Sequence, residues 1–297
     1  MEPRSRLAYW VMKNDDVLAI LFALGSALTI AWGTVVRHRI AEQNGDSNPE
    51  TSDVPILAAI RKPWWWAGLF SALFGYFLQI VALRFGSLLI VQPILVLKLM
   101  FTLPLASKFD GRRISKSETG WATVLSIAVG VLVVFGKPTP GLSAPPAEKW
   151  AVAVAIGAAV FYGMYRFARI QHRREKALVY GLITGGIMGY LAVLSKAVVD
   201  VWSHEGALGL VTSWELYGLL FCAGLGTSVQ QTSFNAGALK DSLPAMTIAE
   251  PIVAFSLGYL ILREQFRVSG WHWSYVIASI VLMIVGTFVL SRKSVKD

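Results

Sequence analysis

Lys98, Lys196 and Glu250 are the ionisable residues that stand inside long apolar stretches of this 297-residue chain. A charge at the centre of a bilayer costs roughly 2.5–3.5 kcal/mol on insertion scales, so such residues mark ion or substrate pathways by default. A carboxylate there can exchange a proton or hold a cation, and an ammonium can hold an anion. The plainer alternative is structural: Glu250 pairs with Lys98 or Lys196, or Lys196, near its helix end, snorkels to the surface. Glu250 precedes Pro251, as Gln92 precedes Pro93. A proline inside a helix cannot donate its backbone hydrogen bond, which frees a carbonyl and kinks the helix. Gln79, Asn235 and Gln231 add amides at comparable depth, read either as cavity groups or as satisfied core amides. Trp32 is the one indole well inside a span, where it packs or lines a cavity.

Those residues need helices that cross a membrane. The chain is 55% hydrophobic and 15% charged, with a mean hydropathy of +0.56, whereas soluble domains carry about 25% charged residues. A soluble enzyme, a disordered chain and a disulfide framework are thereby excluded, with Cys222 the single cysteine. Apolar runs long enough to span are expected over 16–37, 64–84, 87–107, 118–136, 148–168, 177–201, 213–236, 243–262 and 270–290. The expected fold is an all-α membrane protein of nine transmembrane helices, with ten as the alternative. Connections are short except a polar, flexible loop over 38–62 and a second loop over 201–213. Ten of the eleven tryptophans, Trp150 and Trp214 among them, fall near span ends and form an interfacial belt. Lys and Arg favour one set of loops by about two to one. That bias predicts a cell-membrane protein with its N-terminus outside and its C-terminus cytoplasmic. The net charge of +9 is then a topology signal, so the lipid bilayer is the expected partner and nucleic acid is not.

Two segments match in pattern: that from Ala82 carries Gln92-Pro93, and that from Ala238 carries Glu250-Pro251. Each begins Ala-Leu-basic and ends in a charged turn and one more span, and the matching turns fall on opposite sides. Such a pattern predicts two inverted structural repeats in one transporter domain, about 16–136 and 148–290, with a site near the midplane at their interface. Pro93 and Pro251 are the expected kinks. No zinc spacing, P-loop or dinucleotide fingerprint occurs, and His38, His172, His204 and His272 lie in loops or at helix ends. Neither catalytic residues, nor a metal site, nor a cofactor is expected, and transport would draw on a gradient.

The Ala-Leu, the central proline and Leu262-Arg263-Glu264 resemble the drug/metabolite transporter superfamily, including its EamA-like members. Trp65-Trp66-Ala67-Gly68-Leu69, Gly75 with Gln79, Ala82 and Phe85, Leu178-Val179-Tyr180 leading to Ser195-Lys196, and Gln231 with Ala238-Leu239 resemble its NIPA-type branch. The resemblance implies the fold over 16–290 and, for that branch, magnesium transport. Tyr76 stands where the NIPA-type pattern has an acidic residue, and joins the candidate site at that position. One carboxylate against two ammonium groups favours a small organic substrate, anionic or amphiphilic, over magnesium, which is held through carboxylates and waters. A proton or cation is the expected coupling partner, and the protein is expected to act as a monomer or homodimer. The remaining alternative is a non-transporting membrane scaffold.

Overall fold

The computed structural model describes residues 3–45, 63–110, 114–139, 141–142, 145–236 and 239–293. The elements are α1 (Pro3–Gly45), α2 (Pro63–Phe85), α3 (Leu88–Val96), α4 (Lys98–Asp110), α5 (Lys116–Gly136), α6 (Ala147–Arg169), α7 (Arg173–Thr212), α8 (Trp214–Ala236), α9 (Leu239–Leu257) and α10 (Trp273–Lys293). A two-residue bridge pairs Pro138 with Phe266 and Thr139 with Gln265. Each of the nine expected spans coincides with helix. Eight of these stretches are long and apolar enough to cross a membrane. The other is α8, whose second half carries Gln230, Gln231, Thr232, Ser233 and Asn235 and is correspondingly polar.

The third span is divided at Leu97, one turn after Pro93, which itself lies inside α3. The Pro93 ring nitrogen has no hydrogen to give to the turn behind it, and the chain tightens at Leu97, whose N–H donates to the Ile94 carbonyl at 3.0 Å. The helix then restarts at Lys98. All nine residues of α3 are buried, the signature of a helix that is apolar all round because protein surrounds it. α9 carries Pro244 and Pro251 and widens into a π-helical turn over Gly258–Leu262, closed by Arg263 in the left-handed conformation.

Two expectations need correction. The predicted loop over 201–213 is helix: α7 runs on to Thr212 through a break at Gly206, whose φ of 70° a residue without a Cβ tolerates. Helix α1 likewise continues to Gly45, into the predicted loop, and residues 46–62 lie outside those described. Among the tryptophans, Trp66, Trp202, Trp214, Trp271 and Trp273 are exposed as a belt requires, but Trp150 is buried edge-on against Trp214 at 5.1 Å between ring centres. Its position near a helix end is that of a belt residue; its environment is that of a core residue.

Glycines set a close contact between α7 and α9. Gly181, Gly185 and Gly189 form a stripe at four-residue spacing on α7 that lies directly on α9. A Cβ at Gly181 would stand 2.6 Å from the Ser242 carbonyl oxygen, and one at Gly189 would stand 2.7 Å from the Val253 Cβ. At Gly185 it would meet the Met246 carbonyl and come within 2.8 Å of the Ala249 Cβ. This stripe brings α9, and with it Glu250, into the interior.

Candidate functional site

Helices α3, α4 and α9 bring Gln92, Lys98, Thr247, Glu250 and Pro251 to one narrow cleft of about 10 Å³, space for roughly one water. Both prolines' helices contribute: the break at Leu97, one turn after Pro93, leaves Lys98 at the start of α4, and Pro251 follows the carboxylate directly. Lys98 Nζ and Glu250 Oε2 are 3.5 Å apart, and each side chain keeps about a quarter of its surface exposed (28% and 24%). That distance is long for a charge-assisted hydrogen bond, so the two charges are only loosely engaged with one another. Gln92 is 1% exposed, and its Nε2 is buried with no hydrogen-bond partner among the described residues. An orphaned buried amide costs roughly 1–3 kcal/mol, and here it belongs to a residue lining the cleft. Tyr76, half-exposed, lies close enough to act electrostatically on Lys98.

The other sequence candidates are placed elsewhere. Gln79 is buried on α2 and Trp32 half-buried on α1, and neither lines the cleft. Gln231 and Asn235 fall on α8, but their side chains lie outside the described residues. Lys196 is taken up by a different set of partners: its Nζ donates to the Leu83 carbonyl at 2.7 Å and stands 3.3 Å from Asp200 Oδ1.

Lys196 belongs to a second polar cluster, whose two acidic members were not singled out in the sequence. Glu264 has no exposed surface. Its two carboxylate oxygens accept the backbone N–H groups of Leu88 at 2.9 Å and Leu89 at 3.0 Å, across some 175 residues of chain. It thereby satisfies the free donors at the start of α3 from a distant segment, where a helix usually relies on a local cap. Lys196 and Asp200 act on it electrostatically. Burial pushes the Glu264 carboxyl up to about 7, against the opposing pull of the Leu88 and Leu89 amides and of Lys196. Asp200 was missed because it sits at the end of the expected span, whereas α7 continues three more turns past it. Glu264 follows an apolar run in a charged turn, and only the fold shows that this turn folds inward. Among the described residues no group of three or more His, Cys, Asp or Glu side chains is arranged to hold a metal ion.

Over 281 residues the chain is 54% identical to an uncharacterized protein of Corynebacterium glutamicum, covering 95% of this chain and 97% of that one. The chain belongs to the same family as that protein. More distantly, it is similar to proteins of Arabidopsis thaliana named "Probable magnesium transporter NIPA1" and "Probable magnesium transporter NIPA5". Identity is 24% with the first, over 95% of this chain and 87% of the relative, and 21% with the second, over 96% and 77%. No protein-family model and no solved structure matches. Together with its apolar helices, these relationships make the chain a multi-pass membrane protein.

Proposed function

We propose that this protein is a gradient-driven carrier of a small organic molecule bearing an anionic group, which binds at Lys98 in the cleft between the Pro93 and Pro251 helices. The observation that carries the reading is the composition of the cleft. Among the described residues that line it, the single carboxylate, Glu250, already faces the single ammonium, Lys98. Magnesium favours carboxylates free to share it with waters in an octahedron, and an ammonium 3.5 Å from the only carboxylate opposes that. An anion instead finds Lys98 and the unspent N–H of Gln92.

In this reading Glu250 and the substrate compete for Lys98. A proton on Glu250 removes its charge and releases Lys98 to the substrate, and loss of that proton restores the pair and ejects the substrate. One proton then travels with one anion. The two matching segments form inverted repeats about an axis in the membrane plane, which rock about the cleft, and the basic loops and the C-terminus face the cytoplasm. The membership in the drug/metabolite transporter superfamily that the sequence pattern implies is part of the same proposal.

Magnesium transport is the second reading, and the names of the Arabidopsis relatives favour it. Purified protein in liposomes separates the two when assayed for magnesium flux and for uptake of anionic metabolites such as dicarboxylates and phosphate esters. Saturable uptake of an anion, lost in Lys98→Ala, supports the proposal. Saturable magnesium flux that survives Lys98→Ala and is abolished by Glu250→Ala overturns it.

A further inference from the structure

The cluster around Glu264 holds three ionisable side chains on two elements: Lys196 and Asp200 from α7, and Glu264 from the turn before α10. With all three ionised it carries one negative charge too many. Lys196 and Asp200 cancel across 3.3 Å, and Glu264 then stands fully buried with two backbone amides as its only described hydrogen-bond partners. Of the other charged groups on the elements packed here, Arg84, Lys137, Arg263, Arg267, Asp16 of α1, Glu148 of α6 and His204 further along α7 are exposed at the surface, and Asp15 of α1 and Lys149 of α6 are half-buried. None of them is sequestered with Glu264 to balance it.

The same position is a mechanical junction. Glu264 follows the π-helical turn and Arg263, and its own N–H donates to the Gly258 carbonyl at 3.1 Å. The Leu262 carbonyl receives the Leu142 N–H, and the bridge of Pro138 and Thr139 to Phe266 and Gln265 adjoins it. Lys196 ties α7 to the last turn of α2 through Leu83. The segments before and after the α2–α3 turn are thus held by two side chains from the second half of the chain. Parting α3 from the turn at Glu264 would break both carboxylate bonds and uncover Glu264.

We propose that Glu264 is a proton-binding site distinct from the Lys98–Glu250 cleft, loaded when this end of the bundle is closed and emptied when it opens to water. The charge count and the junction together require this direction. Protonated, the cluster is neutral and its burial costs little; one carboxyl oxygen still accepts the start of α3. Ionised, it leaves an uncompensated charge in a sealed interior, which is relieved only by admitting water and so by parting α3 from the turn at Glu264. A carboxyl raised to about 7 in this closed arrangement agrees with that linkage.

Hydrogen–deuterium exchange of the full chain in nanodiscs tests the proposal without any substrate, so its outcome is separate from the identity of what is carried. The readout is the protection of the Leu88 and Leu89 amides, corrected for the intrinsic pH dependence of exchange. In the wild type, protection should fall by about tenfold per pH unit as pH rises from about 4.5 to about 7, where opening releases one proton, and should level off above that. Glu264→Gln, neutral throughout, should abolish that dependence. Asp200→Asn removes the surplus negative charge and leaves Lys196 to offset Glu264, so the closed state gives up its proton more readily and the protection should level off at a lower pH than in the wild type. Protection that is flat across pH 5–7 in the wild type, or a levelling-off pH that is unmoved or raised in Asp200→Asn, overturns the proposal. The Asp200→Asn arm decides the matter if Glu264→Gln does not fold.

Discussion

The two polar clusters have similar membership and opposite construction. In the cleft, an ammonium and a carboxylate meet 3.5 Å apart, each partly exposed, and a neighbouring amide has no partner. At the Glu264 junction the carboxylate is sealed, both its oxygens are engaged by backbone amides, and the ammonium is divided between a carbonyl and a second carboxylate. The cleft leaves hydrogen-bonding capacity unspent, which suits a site that must accept a ligand and give it up. The junction spends its capacity on its own backbone, which suits a group that holds parts of the bundle together. A buried charge alone therefore does not identify a binding site; what it has left to offer does.

This contrast is broken most severely at Lys98. Lys98→Ala should lower anion uptake by about 100-fold, ~2.7 kcal/mol at about 1.4 kcal/mol per tenfold, while the melting temperature moves little because Glu250 can reach water or take a proton. Uptake assays beside thermal melts check both halves. If melting falls steeply with uptake, the pair is structural and the distinction between the clusters fails.

At the junction the expected effect is on stability. Glu264→Ala leaves the N–H groups of Leu88 and Leu89 without an acceptor and should cost about 2 kcal/mol or more, read as a lowered melting temperature at pH 6. The pH dependence has a defined sign. Glu264 is raised from an ordinary 4.5 to about 7 in the folded protein, so the native state holds its proton longer than the unfolded chain does. The stability it contributes is fully present below about 4.5 and is lost as pH rises through about 7. Melts of the wild type across pH 5–8 should show this loss relative to Glu264→Gln; a difference that grows with pH in the opposite sense contradicts the assignment.

A smaller effect separates the helix stripe from both clusters. Gly185→Ala adds a Cβ against the Met246 carbonyl and Ala249 and should cost about 1–3 kcal/mol by overpacking. By pushing α9 outward it should also weaken uptake severalfold through Glu250. Gly163→Ala, at a position with open space around it, is the matched control and should change neither quantity.

Much of this architecture is legible in the sequence, because a membrane span is a composition and a length. The apolar spans, the Trp residues exposed at five span ends and the placing of Gln92, Lys98 and Glu250 at one depth follow from residue type and spacing, whereas the break at Leu97 does not. Trp150, Asp200 and Glu264 do not. Trp150 and Glu264 lie at helix ends, where position along the chain gives depth in the membrane but not which way the side chain turns. Asp200 was obscured by helix α7 continuing past a glycine break that reads as a loop. Lys196 reads as a second ligand for an anion, and its actual partners, the Leu83 carbonyl and Asp200, come from tertiary packing that no local pattern encodes.

The central claim is that Glu250 carries the proton that frees Lys98 for substrate. The most direct test is proton movement during anion uptake, followed with a pH-sensitive dye inside liposomes containing wild-type protein or Glu250→Gln. The account predicts that wild-type uptake brings protons with it, and that Glu250→Gln exchanges anion across the membrane without moving protons or responding to a pH gradient. Proton movement that persists undiminished in Glu250→Gln would contradict it.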